Sequence, residues 1–321
     1  LHLLAHCKVR CKGLVALHPV PAPIIRGTRI NLSMKPTLLL NSGVAFSATS
    51  PLHYTLCWDN KYAHTGHCKE HHYLHILETG DKLVKDEFLK AKRQKQHRRK
   101  PPILCPDSEY VKFKGENFFC DDITIDRYIS YYLEHWDNIK NDYKAVADFS
   151  NSNATLSVNF MQSIKNKLLS FFDVKVIMVF RDPVRRLFSV SNVVSPDPKD
   201  HIKMCVGGRL EPNAYYSDIY RRHLEVWGKD NVHPIIMEEF WAGDTKPLEN
   251  FLDFPLPNIH ENVYYPDMGS KAPHHPYLQD QWQSDKVDLD IETHKYCLEH
   301  LDYIYSDFAK TFGYVPEAWM K

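Results

Sequence analysis

Short unbroken apolar runs, each closed by a turn and followed by helical spacing, set the pattern of this chain. Lys35–Asn41 is the first such run, and it reads as a strand ending at a turn. Pro51 then sits where a first helical turn can begin, ahead of Leu52–Trp58. The order repeats at Val174–Phe180, an apolar strand, followed by Arg181–Val190, where Pro183 can open a helix. Helix-like spacing also runs through Ser217–Trp227, Lys246–Leu252 and Ile291–Phe312, and His233–Met237 reads as a strand. Strands alternating with helices predict an α/β chain, with a mostly parallel sheet flanked by helices. No internal repeat is present.

The 321 residues suffice for one sizeable core. Residues 1–33 mix Cys, His, Arg and Pro without periodicity, whereas Met34 opens the run into the first strand. The reading is therefore an N-terminal extension over 1–33 and one α/β domain over 34–321. Lys+Arg and Asp+Glu both total 40, so there is no overall basic field to attract nucleic acid, and any anionic ligand must meet local positive groups. The dense basic run within Lys82–Lys100 reads first as a solvated face and second as a contact for an anionic substrate. Apolar runs such as Val174–Phe180 fall well short of the roughly 20 residues that cross a bilayer. Eight cysteines without a regular framework read as reduced thiols in a cytoplasm. Cys105 and Cys120, flanking a polar stretch, are the one pair that could close in an oxidising compartment.

Three segments could carry chemistry. In the first, a strand delivers Arg181 at its carboxyl end, and Ser189 follows about two helical turns later on a face that can return toward the same ligand. A guanidinium fork and a hydroxyl converging there suit a phosphate; pairing of Arg181 with Asp182, or capping of a neighbouring helix, is the competing role. The second is the loop after the first strand, Gly43–Leu52, which by itself is an ordinary helix-capping turn. The third is Lys69–Leu74, where a glutamate beside a lysine could accept a proton or could be a surface ion pair. This neighbourhood also admits zinc, because His64, His67, Cys68, His71, His72 and His75 crowd together, and His67/His71 and His71/His75 would share a helix face.

Together these segments resemble the PAPS-dependent sulfotransferases, which move a sulfuryl group from 3′-phosphoadenosine-5′-phosphosulfate. Arg181, Asp182, Pro183, Arg186 and Ser189 match the family's R-[DN]-P-x-x-R-x-x-S motif, in which the arginine and serine hold the 3′-phosphate. Gly43–Leu52 is similar in register to the loop G-V-x-[KR]-x-G-T-[TS]-x-L that cradles the 5′-phosphosulfate, which assigns Ser47, Ala48, Thr49 and Ser50 to the nucleotide. Phe46 replaces the basic residue of that loop, and Ala48 replaces a glycine. Lys69–Leu74 resembles K-E-x-H-[FY]-[FL] of the glycan-type and bacterial members, which implies Glu70 as the general base, Lys69 beside the transferring group and His72 as the next candidate base. Ala147–Leu156 is similar to G-D-F-T-P-x-Y, with Asn151 for the proline and Asn153 for the tyrosine. Met268–Pro276 resembles a late loop of G-x-S-K-G type, which would place Ser270 and Lys271 near phosphate.

The resemblance implies the sulfotransferase fold, with a P-loop-like parallel sheet, PAPS as co-substrate, its bisphosphate PAP as product, and no required metal. The acceptor would be the hydroxyl or amine of a small molecule or glycan; neither nucleic acid nor a membrane span is implied. With Phe46 in the loop, transfer should be slow unless Lys69 or Lys271 supplies the charge. The rival readings are a non-catalytic nucleotide- or glycan-binding protein on the same fold, and a zinc-binding module. A P-loop NTPase is disfavoured, because G-x-x-x-x-G-K-[ST] does not follow the first strand.

Overall fold

The computed structural model describes residues 35–45, 47, 49–59, 61–66, 69–80, 123–194, 215–256 and 291–320, all within the unit Lys35–Lys321. The basic run, the pair Cys105/Cys120 and the extension over 1–33 lie outside the described residues. Five parallel strands form one sheet: β1 (Thr37–Asn41), β2 (Ala63–His64), β3 (Ala145–Asp148), β4 (Asp173–Phe180) and β5 (Val232–Ile236), in the order β2-β3-β1-β4-β5. The central strand β1 pairs with β3 in the register Leu38↔Val146 and with β4 in the register Leu38↔Val174. Parallel strands need long crossovers. Here these carry the helices α1 (Thr49–Tyr54, widening into a π-helical turn over Thr55–Asp59), α2 (Tyr73–Thr79), α3 (Ile125–Ile139), α4 (Val158–Phe171), α5 (Pro183–Val194) and α6 (Tyr216–Trp227). After β5 come α7 (Met237–Trp241), α8 (Lys246–Leu252) and α9 (Ile291–Phe312).

Alternation along the strands divides the core in two. Leu38 and Leu40 of β1, with Val174, Val176, Met178 and Phe180 of β4, face a cluster built from α3, α4, α6 and α9. Leu39, Ile177 and Val179 face the other way, onto Leu52, Leu56, Phe240, Leu248 and Leu252. A sheet covered on both faces explains why β1 and β4 read as continuous apolar runs. The strand expected over His233–Met237 starts one residue earlier and ends at Ile236, because Met237 opens α7.

The chain leaves β1 through Gly43, whose backbone packs so closely on β4 that an added Cβ would collide with the backbone nitrogen of Val179. That nitrogen belongs to a paired strand and cannot yield cheaply. Gly43→Ala should cost about 2 kcal/mol in urea unfolding; a variant as stable as the parent would show that the loop can move off β4.

Candidate functional site

The carboxyl ends of β1, β3 and β4 lie side by side, which in an open α/β sheet is where ligands bind. From β4 comes Arg181, buried at 5% exposure, with its Nη1 donating to Ser189 Oγ at 2.8 Å. The Tyr216 hydroxyl donates to the Arg181 carbonyl, which ties the turn to α6. Asp182 caps α5 by accepting from Arg185 N at 2.8 Å, and its other oxygen accepts from Tyr305 of α9. The competing partner for Arg181 is therefore committed to the helix it starts. Asp182 N donates to Glu238, which also accepts from Trp319 Nε1. Burial pushes both the Asp182 and Glu238 carboxyls above the usual range.

The loop after β1 faces this turn. Arg186, one α5 turn beyond Asp182, sends its Nε to the Ala45 carbonyl at 2.9 Å and so joins the loops that follow β1 and β4. Ser47 and Thr49 are buried, and Ser47 Oγ has no hydrogen-bond partner among the described residues. Ser50 lies in the first turn of α1, while Phe46 and Ala48 are outside the described residues, as are Ser270 and Lys271. A glycine that admits the β4 backbone, a buried hydroxyl and a helix start form a cradle of the kind that suits a phosphate.

Lys69 reaches the same loop. Its ammonium, buried to 5% exposure, donates to Thr49 Oγ1 at 3.2 Å and to Glu70 Oε1 at 2.8 Å. Glu70 also accepts from Asn151 Nδ2 at 3.0 Å, and its Oε2 faces His72 Nε2 at 3.4 Å. Burial alone would raise the Glu70 carboxyl, but the Lys69 charge and the hydrogen bonds from His72 and Lys69 outweigh it and lower it to about 2.

A buried support lies beneath this pair at the end of β3. Asp148 accepts from Ser150 N at 2.9 Å, from the Ser150 hydroxyl and from Tyr128 OH at 3.0 Å. Burial still raises its carboxyl. Ser150 Oγ in turn accepts from the backbone N–H groups of His71 and His72, both at 2.8 Å. That clamp holds His72 in the left-handed region at φ 53, ahead of α2. Its ring meets Ser152 Oγ at 2.9 Å.

This turn corrects the histidine spacing expected from the sequence. His71 precedes α2, so it does not share a helix face with His75. Instead the histidines disperse: His64 Nδ1 meets His135 Nε2 at 2.6 Å, His71 meets Tyr131 and Tyr132, and His75 meets Thr155. Among the described residues, no three His, Cys, Asp or Glu side chains converge as a metal set. His67 and Cys68 lie outside the described residues.

The structure thus brings together Lys69, Glu70, His72 and Thr49, and separately Arg181 and Ser189. It adds Arg186, Asp148, Ser150 and Asn151, to which sequence reasoning gave no role in the site. The segment Ala147–Leu156 carried a signal for Asp148 and Ser150 in its likeness to G-D-F-T-P-x-Y.

Comparison with solved structures gives the fold its name. A sulfotransferase from Alicyclobacillus acidocaldarius matches 90% of this chain and 100% of its own at a TM-score of 0.53, with 15% identity. A sulfotransferase domain from the Synechococcus PCC 7002 olefin synthase matches 87% of this chain and 95% of its own at 17% identity, with a TM-score of 0.44. The fold assignment rests on the first of these. No protein-family model and no curated protein matches the chain. No helix of the described residues is long and apolar enough to cross a membrane.

Proposed function

We propose that this chain, which has the sulfotransferase fold, transfers the sulfuryl group of PAPS to a hydroxyl or amine of a small-molecule or glycan acceptor. One observation carries the reading: the Lys69–Glu70 pair is seated on Thr49 of the loop after β1, and Arg186 joins that loop to the turn that presents Arg181 and Ser189. A cation and a candidate base sit beside the loop after β1, and a guanidinium–hydroxyl pair sits at the turn after β4.

In this reading Arg181 and Ser189 hold the 3′-phosphate of PAPS and so position the other end. The loop N–H groups, Thr49 and Lys69 surround the 5′-phosphosulfate. The acceptor oxygen or nitrogen attacks sulfur in line, and its bond to sulfur forms as the bond from sulfur to the phosphate oxygen breaks. The acceptor proton passes to Glu70, and the electron pair remains on the phosphate of the departing PAP. Lys69 reaches the loop from outside it, so a cation is at hand although Phe46 stands where the resembling loop carries a basic residue.

The test is binding first and turnover second. PAP at a hundredfold excess over its Kd should raise the melting temperature by roughly 5 °C, and ATP at the same concentration should not. Purified protein with radiolabelled PAPS should then label p-nitrophenol or desulfated heparan. Binding without transfer to either would favour the non-catalytic reading, and no response to PAP would end the transferase reading and leave only a glycan-binding role.

A further inference from the structure

The carboxylate of Glu70 is held by a chain of amides that starts at Gly43 in the loop after β1. Gly43 N donates to Asn41 Oδ1 at 3.3 Å, which fixes which end of the fully buried Asn41 amide is which. Its other end, Asn41 Nδ2, then donates to Asn151 Oδ1 at 3.2 Å and to the Phe149 carbonyl at 3.5 Å. With its oxygen so engaged, Asn151 turns its Nδ2 onto Glu70 Oε1 at 3.0 Å. Each amide therefore has one orientation, dictated by its neighbour. Lys69 donates to the same Oε1.

We propose that Asn151 is a positioning residue that holds Glu70 in place when Lys69 turns from the carboxylate to the charge developing on the leaving phosphate. The proposal rests on the transfer reading above. Lys69 and Asn151 both donate to Oε1, so when Lys69 departs the Asn151 bond to that oxygen remains. With Asn151 in place, the departure of Lys69 removes a charge but not the geometry. Among the described residues, the charged and titratable groups around Glu70 include Lys69 and His72 on its own segment, His53 on α1, and Asp148 of β3 beneath Ser150. The resembling segment carries a proline at this position, and proline has no side-chain donor.

That proline also supplies the test. Asn151 opens a 3-10 turn (Asn151–Thr155), a position that tolerates proline, and Ser150 before it has the extended φ −70 and ψ 113 that a following proline favours. Asn151→Pro should therefore fold and lack only the amide. Asn151→Asp keeps the shape but replaces the donor with a like charge. The Glu70 midpoint can be followed in the whole protein by carboxyl carbon-13 NMR of labelled glutamate, with the signal assigned by its loss in Glu70→Gln. It should rise by about one pH unit in Asn151→Pro, the worth of one hydrogen bond to a charged group, and further in Asn151→Asp. With radiolabelled PAPS and p-nitrophenol or desulfated heparan, kcat should fall about tenfold in Asn151→Pro with the KM for PAPS unchanged, and the acid limb of the rate profile should move up with the midpoint. An unchanged midpoint in both variants would overturn the proposal and leave Asn151 a turn residue. A shifted midpoint in a protein that transfers no sulfuryl group would uphold the anchoring of Glu70 and sink the transferase reading instead.

Discussion

Arg181→Ala should weaken PAP binding about 1,000-fold while the protein keeps its fold, because two charge-assisted bonds to phosphate are worth roughly 1.5–3 kcal/mol each. The guanidinium is delivered by a strand buried on both faces, and its backbone carbonyl is held by Tyr216, so the position does not depend on the side chain. Ser189 would be left without the Nη1 donor, and a hydroxyl alone cannot neutralise a phosphate. Arg181→Lys should fall between parent and Ala, since it keeps the charge but loses the planar fork. Calorimetry with PAP reads all three proteins, and the melting temperature without nucleotide checks that each is folded. An unchanged Kd in Arg181→Ala would place the 3′-phosphate elsewhere and remove the main support for the nucleotide.

Glu70→Gln should separate binding from rate: PAP affinity stays, and turnover drops about 100-fold or more, the usual size of a lost general base. At rest the carboxyl is held at about 2, which is a poor base near neutral pH. The principal cause that lowers it is the Lys69 charge, so basicity rises as that ammonium turns toward the leaving phosphate. Base strength would thus arrive together with the proton. The same shift sets a stability signature. A carboxyl whose folded value is depressed stabilises the native state above its ordinary value of 4.5 and loses that contribution as pH falls toward about 2. The gap in urea stability between parent and Glu70→Gln should therefore be full at pH 7 and begin to narrow below about pH 5. A Glu70→Gln protein that transfers at the parental rate would move the base to His72.

How much of this was legible in the sequence depends on how local each feature is. β1 and β4 are buried on both faces and so appear as apolar runs; α9, Ile291–Phe312, shows its period over many turns. β3 did not stand out, because Ala145–Asp148 is small and ends in a buried aspartate, and β2 has too few residues for any period. The helix α3 is crowded with tyrosines, His135 and Trp136, which blur the division into faces. In the site, Arg181 and Ser189 are eight residues apart on one strand-to-helix turn, so one motif contains both. The contact between Asn41 and Asn151 spans 110 residues and exists only once β1 and β3 are paired. Glu70 and Asn151 are 81 apart, and no pattern within either segment predicts that they meet.

The central place of β1 also bears on how the chain comes to be folded. It is the first of the described strands in the chain, yet its two neighbours are β3 and β4, and a hydrogen bond such as that from Asn41 to Phe149 bridges 108 residues. Until β4 has left the ribosome, one edge of an apolar strand has no partner within its sheet, and the turn that presents Arg181 and Ser189 cannot form. A growing chain therefore carries an open, sticky edge from the emergence of β1 until that of β4, which is where self-association competes with folding. The strand that places the Gly43 loop at the middle of the sheet is for that reason in need of protection while the chain is young.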